Sequence, residues 1–316
     1  MQVRIVRKFE VAIDICAFDL ASLDGTPMPA FTAGAHIDIH LQNGITRQYS
    51  LCNRPTDRDR YRIAVLQEAN SRGGSIAMHA LAEGGQLEIS EPKNHFQLVE
   101  AATHSVLIAG GIGVTPILSM AEHLAAAGES FELHYCTRDP ARAAFREQLT
   151  GGHFAKHLQL YFDSAGEAYR ADLGALVAMP EPGRHLYVCG PGGFIEAVLQ
   201  AARTAGWGER NLHREYFAAA PQPRRTDKAF QIKLAKNGRL VDVPDGETVV
   251  AALAKAGVEV PTSCEQGVCG TCLTRVLSGE PDHRDMYLTD EEKAQNDQFT
   301  PCCSRSCSPI LVLDLD

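Results

Sequence analysis

The cysteines near the C-terminal end of the chain have the type and spacing needed to bind a redox metal centre. Six of the ten cysteines lie between Cys264 and Cys307, and the other four are scattered singly. Cys264, Cys269 and Cys272 follow the spacing C-x4-C-x2-C, and further cysteines come about thirty positions later. Four thiolates in this pattern can hold the two irons of a [2Fe–2S] cluster. A disulfide framework would be spread through its domain, so the clustering argues against one.

The glycines between these cysteines fit the same chemistry. Gly267 and Gly270 allow the loop to fold tightly, so that backbone N–H groups point at the sulfurs. The alternatives are unliganded core cysteines or a structural zinc site, which usually carries paired C-x2-C knuckles; this segment has one. The residues alone leave the fourth ligand open among Cys302, Cys303 and Cys307.

A candidate flavin site lies in the first hundred residues, with RQYS at 47–50 and RGGS at 72–75. Glycines ahead of a helix expose backbone N–H groups and the positive end of the helix dipole, which suits a phosphate. Arg47 would contact that phosphate, Tyr49 would pack on the ribityl chain or ring, and Ser50 would hydrogen-bond near the reactive nitrogen. Ordinary surface positions on a strand are the alternative. The predicted flavin-binding residues are Arg47, Tyr49, Ser50, Arg72, Gly73, Gly74 and Ser75.

Two glycine-rich turns form a candidate nucleotide site. GGIGVTP at 110–116 follows a buried-strand pattern and opens a helix, and CGPGG at 189–193 ends a later strand. Open α/β sheets bind ligands outside the carboxyl ends of their strands, and glycines admit a pyrophosphate to a helix N-terminus. A structural strand-to-helix turn is the alternative for the first turn, and simple burial is the alternative for Cys189. The predicted residues are Gly110, Gly111, Gly113, Thr115, Pro116, Cys189, Gly190 and Pro191.

The residues after the second strand of this region bear on the choice between NADH and NADPH. Arg138 and Asp139 are candidates for reading the adenosine ribose. An acidic residue there favours NADH, but the adjacent arginine weakens the preference. The sequence therefore predicts NADH, with NADPH as the alternative.

The elements that must position these residues predict three domains, 1–100, 101–224 and 225–316. Short alternating strands in the first predict an antiparallel β-barrel, with a helix at 75–81. Strands alternating with helices in the second predict an α/β domain with a parallel sheet. The predicted strands are 33–41, 46–51, 61–66, 85–90, 105–110, 131–137, 158–162, 185–190 and 212–217. The predicted helices of the second domain are 115–128, 141–149 and 194–206.

A polar segment at 218–228 contains two prolines and predicts a linker before the third domain. A hairpin at 230–243 and a helix at 246–257 precede the cysteine loop. The net charge of −9 argues against a nucleic-acid partner. No apolar run approaches the roughly 20 residues of a membrane helix, and the N-terminus lacks the apolar core of a signal peptide. We therefore expect a soluble, cytoplasmic protein.

These motifs resemble a known family. R-x-Y-S followed by G-G-S is similar to the ferredoxin–NADP reductase superfamily, and the domain order resembles the phthalate dioxygenase reductase family across nearly the whole chain. Within that family, SCEQGVCGTC, EPDHRD and PCCSR are most similar to reductases of the vanillate O-demethylase type. The resemblance implies FMN, with FAD as the alternative, and a C-terminal plant-type ferredoxin domain of the α+β, β-grasp fold.

The resemblance also assigns roles to individual residues. In plant-type ferredoxins the last gap between ligands is 29 residues, which implies Cys302 as the fourth ligand. The C-G-P segment approaches the nicotinamide in the superfamily, which implies that Cys189 is not a redox thiol. Phe217 resembles the aromatic residue that covers the flavin, with core packing as the alternative. The predicted catalytic residues are Ser50, Cys189 and Phe217.

The family's activity follows from these cofactors. A hydride from NADH brings two electrons to the flavin, which passes them singly to the [2Fe–2S] cluster. The resemblance implies that the cluster then reduces a Rieske-type oxygenase acting on an aromatic acid. A cytochrome P450 or other monooxygenase is the alternative partner. A cluster-bearing redox sensor without turnover is the alternative class.

Overall fold

The computed structural model describes the chain in five stretches: residues 1–42, 44–69, 71, 73–218 and 227–316. These residues divide into two compact units, Met1–Phe217 and Ala218–Asp316. The predicted flavin ligand Arg72 lies outside the described residues, as does most of the predicted linker, 219–226. The three predicted domain boundaries stay predictions.

Alternating apolar residues of the first unit form an antiparallel sheet. Its strands are β1 (Gln2–Ala12), β2 (Ile15–Ser22), β3 (His36–His40), β4 (Thr46–Ser50), β5 (Tyr61–Leu66) and β6 (Gln86–Ile89). They lie in the order β4-β3-β6-β1-β2-β5, and buried Ile5, Phe18 and Leu20 fill the interior. The Cys52 N–H, just after β4, donates to the Arg62 carbonyl of β5 at 2.9 Å. That bond joins the two edges of the sheet and closes the predicted barrel.

The same unit contains a parallel sheet flanked by helices. Its strands are β7 (His104–Gly110), β8 (Phe131–Thr137), β9 (Leu158–Phe162), β10 (Arg184–Gly190) and β11 (Leu212–Tyr216). The strand order is β11-β10-β7-β8-β9. The chain first adds β8 and β9 on one side of β7 and then adds β10 and β11 on the other side, so the strand order switches between β7 and β10. Ligands of open α/β sheets bind at such a switch point. One predicted nucleotide-binding turn follows β7, and the other follows β10.

The helices of the first unit range in length from four to 14 residues. They are α1 (Gly74–Ala80), α2 (Val114–Ala127), α3 (Arg146–Gly151), α4 (Leu173–Leu176) and α5 (Gly192–Ala205). Single 3-10 turns cover Gly111–Gly113, Pro140–Arg142, Ala155–His157, Asp163–Ala165, Glu167–Tyr169 and Glu209–Asn211. In the part of the chain that the structure describes, no helix combines the length and apolar character needed to cross a membrane.

The prediction of one continuous helix at 141–149 was wrong. The 3-10 turn ends at Arg142, and α3 begins only at Arg146. Between them Phe145 has a φ of 58°, in the left-handed region, while its buried side chain packs in the same core as Leu149. Burying an aromatic side chain offsets the cost of that backbone conformation, which periodicity alone does not reveal.

The second unit is a small α+β fold. Its elements are β12 (Phe230–Leu234), β13 (Leu240–Val243), α6 (Val249–Lys255), β14 (Thr274–Ser278), β15 (Pro281–Asp282), α7 (Asp290–Gln295), β16 (Gln298–Phe299), β17 (Arg305–Ser306) and β18 (Ile310–Leu313). The main sheet has the order β13-β12-β18-β14-β16, and β18 pairs parallel with β12. The predicted hairpin and helix are present as β12, β13 and α6. The elements after the cysteine loop were not predicted.

Candidate functional site

The two halves of the predicted flavin site meet at Arg47 and Gly74. A Cβ atom on Gly74 would lie 2.7 Å from both Cγ and Nε of Arg47, so a larger residue there would displace the Arg47 side chain. The guanidinium also donates to the carbonyl of Thr46 at 2.8 Å. The fold therefore places β4 against the turn that opens α1. Arg72, between those halves in sequence, lies outside the described residues.

The turn before α1 is held by its own hydroxyls. Gly73 has a φ of 88° at the start of the helix, a conformation that favours glycine. The Ser75 hydroxyl donates to Ser71 Oγ at 2.9 Å and accepts from the Glu68 N–H at 3.2 Å. Ser75 thus shapes the turn, and Gly74 faces Arg47.

Ser50 ends β4 and contacts a carboxylate from the other sheet of the same unit. Its hydroxyl donates to Oε2 of Glu215 at 3.3 Å, although the residues are 165 positions apart. Burial raises the pKa of Glu215 to about 8, and the Ser50 hydrogen bond only partly opposes this shift. A carboxyl group that titrates near neutral pH can hold or release a proton. Sequence reasoning missed Glu215, although it lies two residues before the predicted catalytic residue Phe217.

Tyr49 lies beside Ser50 and is held neutral. Burial raises the pKa of its phenol to about 12, with the Arg47 cation opposing the shift. Its ring packs against the buried core of the barrel. A neutral phenol on this strand offers an apolar ring face together with a hydroxyl donor.

The glycines of the two nucleotide turns allow β7 and β10 to approach closely. A Cβ atom on Gly113 would lie 2.3 Å from the carbonyl oxygen of Cys189, and one on Gly190 would lie 3.0 Å from Gly110 Cα. By contrast, Gly111 has a φ of 53° with open space around its Cβ position. Packing of the turns therefore accounts for Gly113 and Gly190, whereas Gly111 in the first turn and Gly192 and Gly193 in the second face open space.

The remaining residues of these turns differ in accessibility. Thr115 and Pro116 are buried, and the Thr115 hydroxyl donates to the Ile112 carbonyl at 3.1 Å. Pro191 is exposed, and its carbonyl accepts from the Phe194 N–H at 2.9 Å at the start of α5. Thr115 and Pro116 therefore hold the turn in place from inside the core.

The Asp139 carboxylate accepts hydrogen bonds from the backbone of the turn that it begins. Its Oδ1 accepts from the Ala141 N–H at 3.0 Å and from the Arg142 N–H at 3.2 Å. Its Oδ2 lies 3.6 Å from Arg142 Nε. Arg138 is exposed at the end of β8. The arginine is therefore the more accessible of the two predicted ribose-reading residues.

Cys189 and Phe217 have contrasting environments. Cys189 is fully buried, and burial together with the Glu215 carboxylate raises the pKa of its thiol well above the usual value. A buried neutral thiol is a poor redox group. Phe217 is 39% exposed, so the alternative that it packs in the core does not hold.

The cysteine loop of the second unit brings four thiols together. Cys264, Cys269, Cys272 and Cys302 are all buried. The Cys264 thiol contacts those of Cys269 and Cys302, and these hydrogen bonds hold the pKa of Cys264 well below its usual value. Cys302 also contacts Cys272. The donor set therefore fits a cluster bound by four thiolates.

The backbone of the loop supports the sulfurs as its glycines predicted. The Gln266 N–H donates to Cys264 Sγ at 3.3 Å, and the Thr271 N–H donates to Cys269 Sγ at 3.5 Å. Gly270 has a φ of 69°, and a Cβ atom there would lie 2.3 Å from the ring of Tyr287.

The chain around the fourth ligand is a turn. Residues 301–303 do not extend, so Cys303 also lies near the ligand set: a Cβ atom on Gly267 would be 2.3 Å from its Sγ. Cys307 is exposed. The contacts of Cys302 with Cys264 and Cys272 support it as the fourth ligand, which stays a prediction.

Comparisons with known proteins agree with this organisation. Residues 232–307 match the family described as "2Fe-2S iron-sulfur cluster binding domain", and residues 90–212 match "Dimethylamine monooxygenase subunit DmmA-like, N-terminal domain". The chain is 52% identical over 306 residues to a vanillate O-demethylase oxidoreductase of Pseudomonas sp. (strain HR199 / DSM 7063), covering 96% of each chain. It matches the solved structure of a phthalate dioxygenase reductase at a TM-score of 0.76 and 39% identity, covering 100% of this chain and 98% of that one. The chain belongs to the phthalate dioxygenase reductase family.

This membership confirms the family, the fold class and the oxidoreductase class predicted from the sequence. The solved phthalate dioxygenase reductase is a modular structure for electron transfer from pyridine nucleotides to [2Fe-2S]. The chain also matches an intact type IV self-sufficient cytochrome P450 monooxygenase, with a TM-score of 0.88 and 38% identity. That match covers 99% of this chain and 41% of the P450 chain. The phthalate dioxygenase reductase arrangement therefore also occurs inside a longer protein.

Proposed function

We propose that this chain is the reductase component of an oxygenase system. It takes electrons from NADH through FMN and a [2Fe–2S] cluster and delivers them singly to a Rieske-type aromatic-ring oxygenase or O-demethylase. The observation that carries the proposal is that one chain holds both the Ser50–Glu215 pair beside a phosphate-compatible turn and a set of four buried thiols. A bound flavin supplies the conversion of a two-electron donor into a one-electron donor.

The chain's own residues would bind and orient the flavin. Arg47 and the backbone of Gly73 and Gly74 would hold a phosphate, and Tyr49 would present its ring. Ser50 Oγ and Glu215 Oε2 form a pair that can hold and pass a proton at the inner end of β4. FMN is proposed because the resemblance implies it, and chromatography of the released flavin distinguishes it from FAD.

The nucleotide would bind at the switch point between β7 and β10. Gly111 leaves open space for the pyrophosphate, and the exposed ring of Phe217 would cover the flavin until the nicotinamide enters. NADH is the proposed donor, and comparing kcat/KM for NADH and NADPH tests that choice. Because NADH is supplied inside the cell, we propose the cytoplasm as the location.

The proposed partner demethylates or dihydroxylates an aromatic acid, because the relative named for vanillate O-demethylase is 52% identical. A cytochrome P450 is the second candidate partner, favoured by the 38% identity to the self-sufficient P450. Purified protein with NADH should support vanillate demethylation by a Rieske oxygenase component and contain about one flavin and two irons per chain. Zinc without inorganic sulfide would refute the proposal. Reduction of a P450, without turnover by the Rieske component, would favour the second candidate.

A further inference from the structure

Polar groups in the turn that carries Cys302 form a connected row. Ser304 Oγ accepts from the Arg284 N–H at 3.1 Å and lies 3.0 Å from Thr300 Oγ1. Thr300 Oγ1 lies 3.3 Å from Cys303 Sγ. The Cys303 thiol in turn contacts the thiol of Cys302. The row therefore runs from a backbone N–H group to a predicted ligand of the cluster.

The row is enclosed by protein. Thr300 is 0% exposed and Ser304 is 1% exposed, so their hydroxyls must find partners inside the unit. The Cys303 sulfur occupies the space that a side chain at Gly267 would fill, since a Cβ atom there would lie 2.3 Å away. Gly267 belongs to the ligand loop between Cys264 and Cys269. The loop is therefore shaped around the Cys303 thiol.

The Cys302 end of the row determines which way the hydrogen of Cys303 points. The Arg284 N–H can only donate, and Cys302 as a cluster-bound thiolate can only accept. The Cys303 thiol must then donate to Cys302, and the Thr300 hydroxyl keeps a hydrogen that it can donate to the Cys303 sulfur. The carbonyl of Thr300 is another acceptor for the Cys303 thiol, at 3.8 Å. A charged thiolate is the stronger acceptor of the two.

We propose that Cys303 is a positioning residue whose thiol donates a hydrogen bond to the Cys302 thiolate and raises the reduction potential of the cluster. The inference rests on the proposed function, because it requires a [2Fe–2S] cluster bound by Cys302. Hydrogen bonds to cluster sulfurs stabilise the extra negative charge of the reduced state. A hydrogen bond from Thr300 to the Cys303 sulfur would polarise that thiol, so Thr300 adds to the effect.

EPR-monitored redox titration of the full-length holoprotein tests this proposal. Cys303→Ala should retain iron and sulfide but shift the midpoint potential to more negative values, lowering the reduced-to-oxidised ratio at a fixed potential roughly three- to tenfold. Cys303→Ser keeps a donor and should restore most of the potential. Thr300→Val should shift the midpoint potential in the same direction as Cys303→Ala does, but by a smaller amount. The control Cys307→Ala, at an exposed position of the same segment, should leave the potential unchanged.

Several results would overturn the proposal. An unchanged or raised potential in Cys303→Ala means that its thiol donates nothing to Cys302. Loss of the cluster from Cys303→Ala with retention in Cys302→Ala makes Cys303 the ligand. If Cys303→Ala does not fold, Thr300→Val decides, and an unchanged potential there means that the row does not act on the cluster. Wild-type protein without iron and sulfide would instead refute the proposed function itself.

Discussion

The hydroxyl of Ser50 donates to the Glu215 carboxylate at 3.3 Å and thereby joins the last residue of β4 to β11. The contact links the strand that carries the predicted flavin-binding residues to the sheet that carries the nucleotide turns. Cys189 pairs with Glu215 in the β10–β11 register. Glu215 therefore lies between the strand of the predicted flavin-binding residues and the strand that ends in the predicted nucleotide turn.

Replacing Glu215 by Gln should slow reduction of the flavin by NADH. The amide still accepts from Ser50 but cannot exchange a proton near neutral pH, and a positioned acid–base group contributes about 100-fold or more. The rate of flavin reduction in a stopped-flow experiment measures the effect. The matched control is Glu209→Gln, because Glu209 is an exposed carboxylate that pairs with Arg203. Equal rates in Glu215→Gln and wild-type protein would remove Glu215 from the reaction.

The same carboxyl group should make stability depend on pH. Its pKa rises from 4.5 to about 8 on folding, so the folded state binds more protons between these values. Its contribution to stability is therefore complete below about pH 4.5 and is lost as pH rises through 8. Because Glu215 is only partly buried by its accessible area, we expect a loss on the order of 1–3 kcal/mol. Denaturant unfolding at pH 5 and pH 9 should show this difference in wild-type protein, and a Glu215→Gln variant with the same pH dependence would contradict it.

The parts of the site that depend on local sequence pattern could be predicted from the sequence. Alternation predicted β4 and β5, and glycine content predicted the turn at Gly74 and the shape of the cysteine loop. Sequence reasoning could not find Glu215, because the contact with Ser50 depends on how two sheets pack together across 165 positions of sequence. It also could not predict the turn at 301–303, since nothing local in PCCSR marks the turn that brings two sulfurs together.

Gly113 should tolerate no side chain. A Cβ atom would lie 2.3 Å from the Cys189 carbonyl, which belongs to a central strand and cannot move aside cheaply. Gly113→Ala should lower the free energy of unfolding by about 1–3 kcal/mol and weaken NADH binding. Gly192→Ala is the control, because open space surrounds its Cβ position. Equal thermal stability of the two variants would contradict this packing argument.

A shortened chain ending near Arg225 should keep flavin and nucleotide binding. Residues Met1–Phe217 form a compact unit that contains both sheets. The shortened protein should reduce ferricyanide with NADH but fail to support the oxygenase, because it lacks the cluster thiols. Loss of flavin from this protein would show that the predicted boundary at 224–225 is misplaced.

The fourth ligand can be identified by comparing three late cysteines. Cys302→Ala should remove or badly impair the cluster, because Cys302 contacts the thiols of both Cys264 and Cys272. Cys303→Ala and Cys307→Ala should retain the rhombic [2Fe–2S] EPR signal. Alanine is the cleaner substitution at position 302, since a serine oxygen can itself bind iron.

The proximity of Cys303 makes this comparison stringent. Its sulfur touches that of Cys302, so it is the thiol best placed to replace a missing ligand. The double variant Cys302→Ala/Cys303→Ala separates these cases: a residual altered signal in Cys302→Ala that disappears in the double variant would come from Cys303 acting as a substitute. A normal signal in Cys302→Ala together with its loss in Cys303→Ala would move the ligand assignment by one residue.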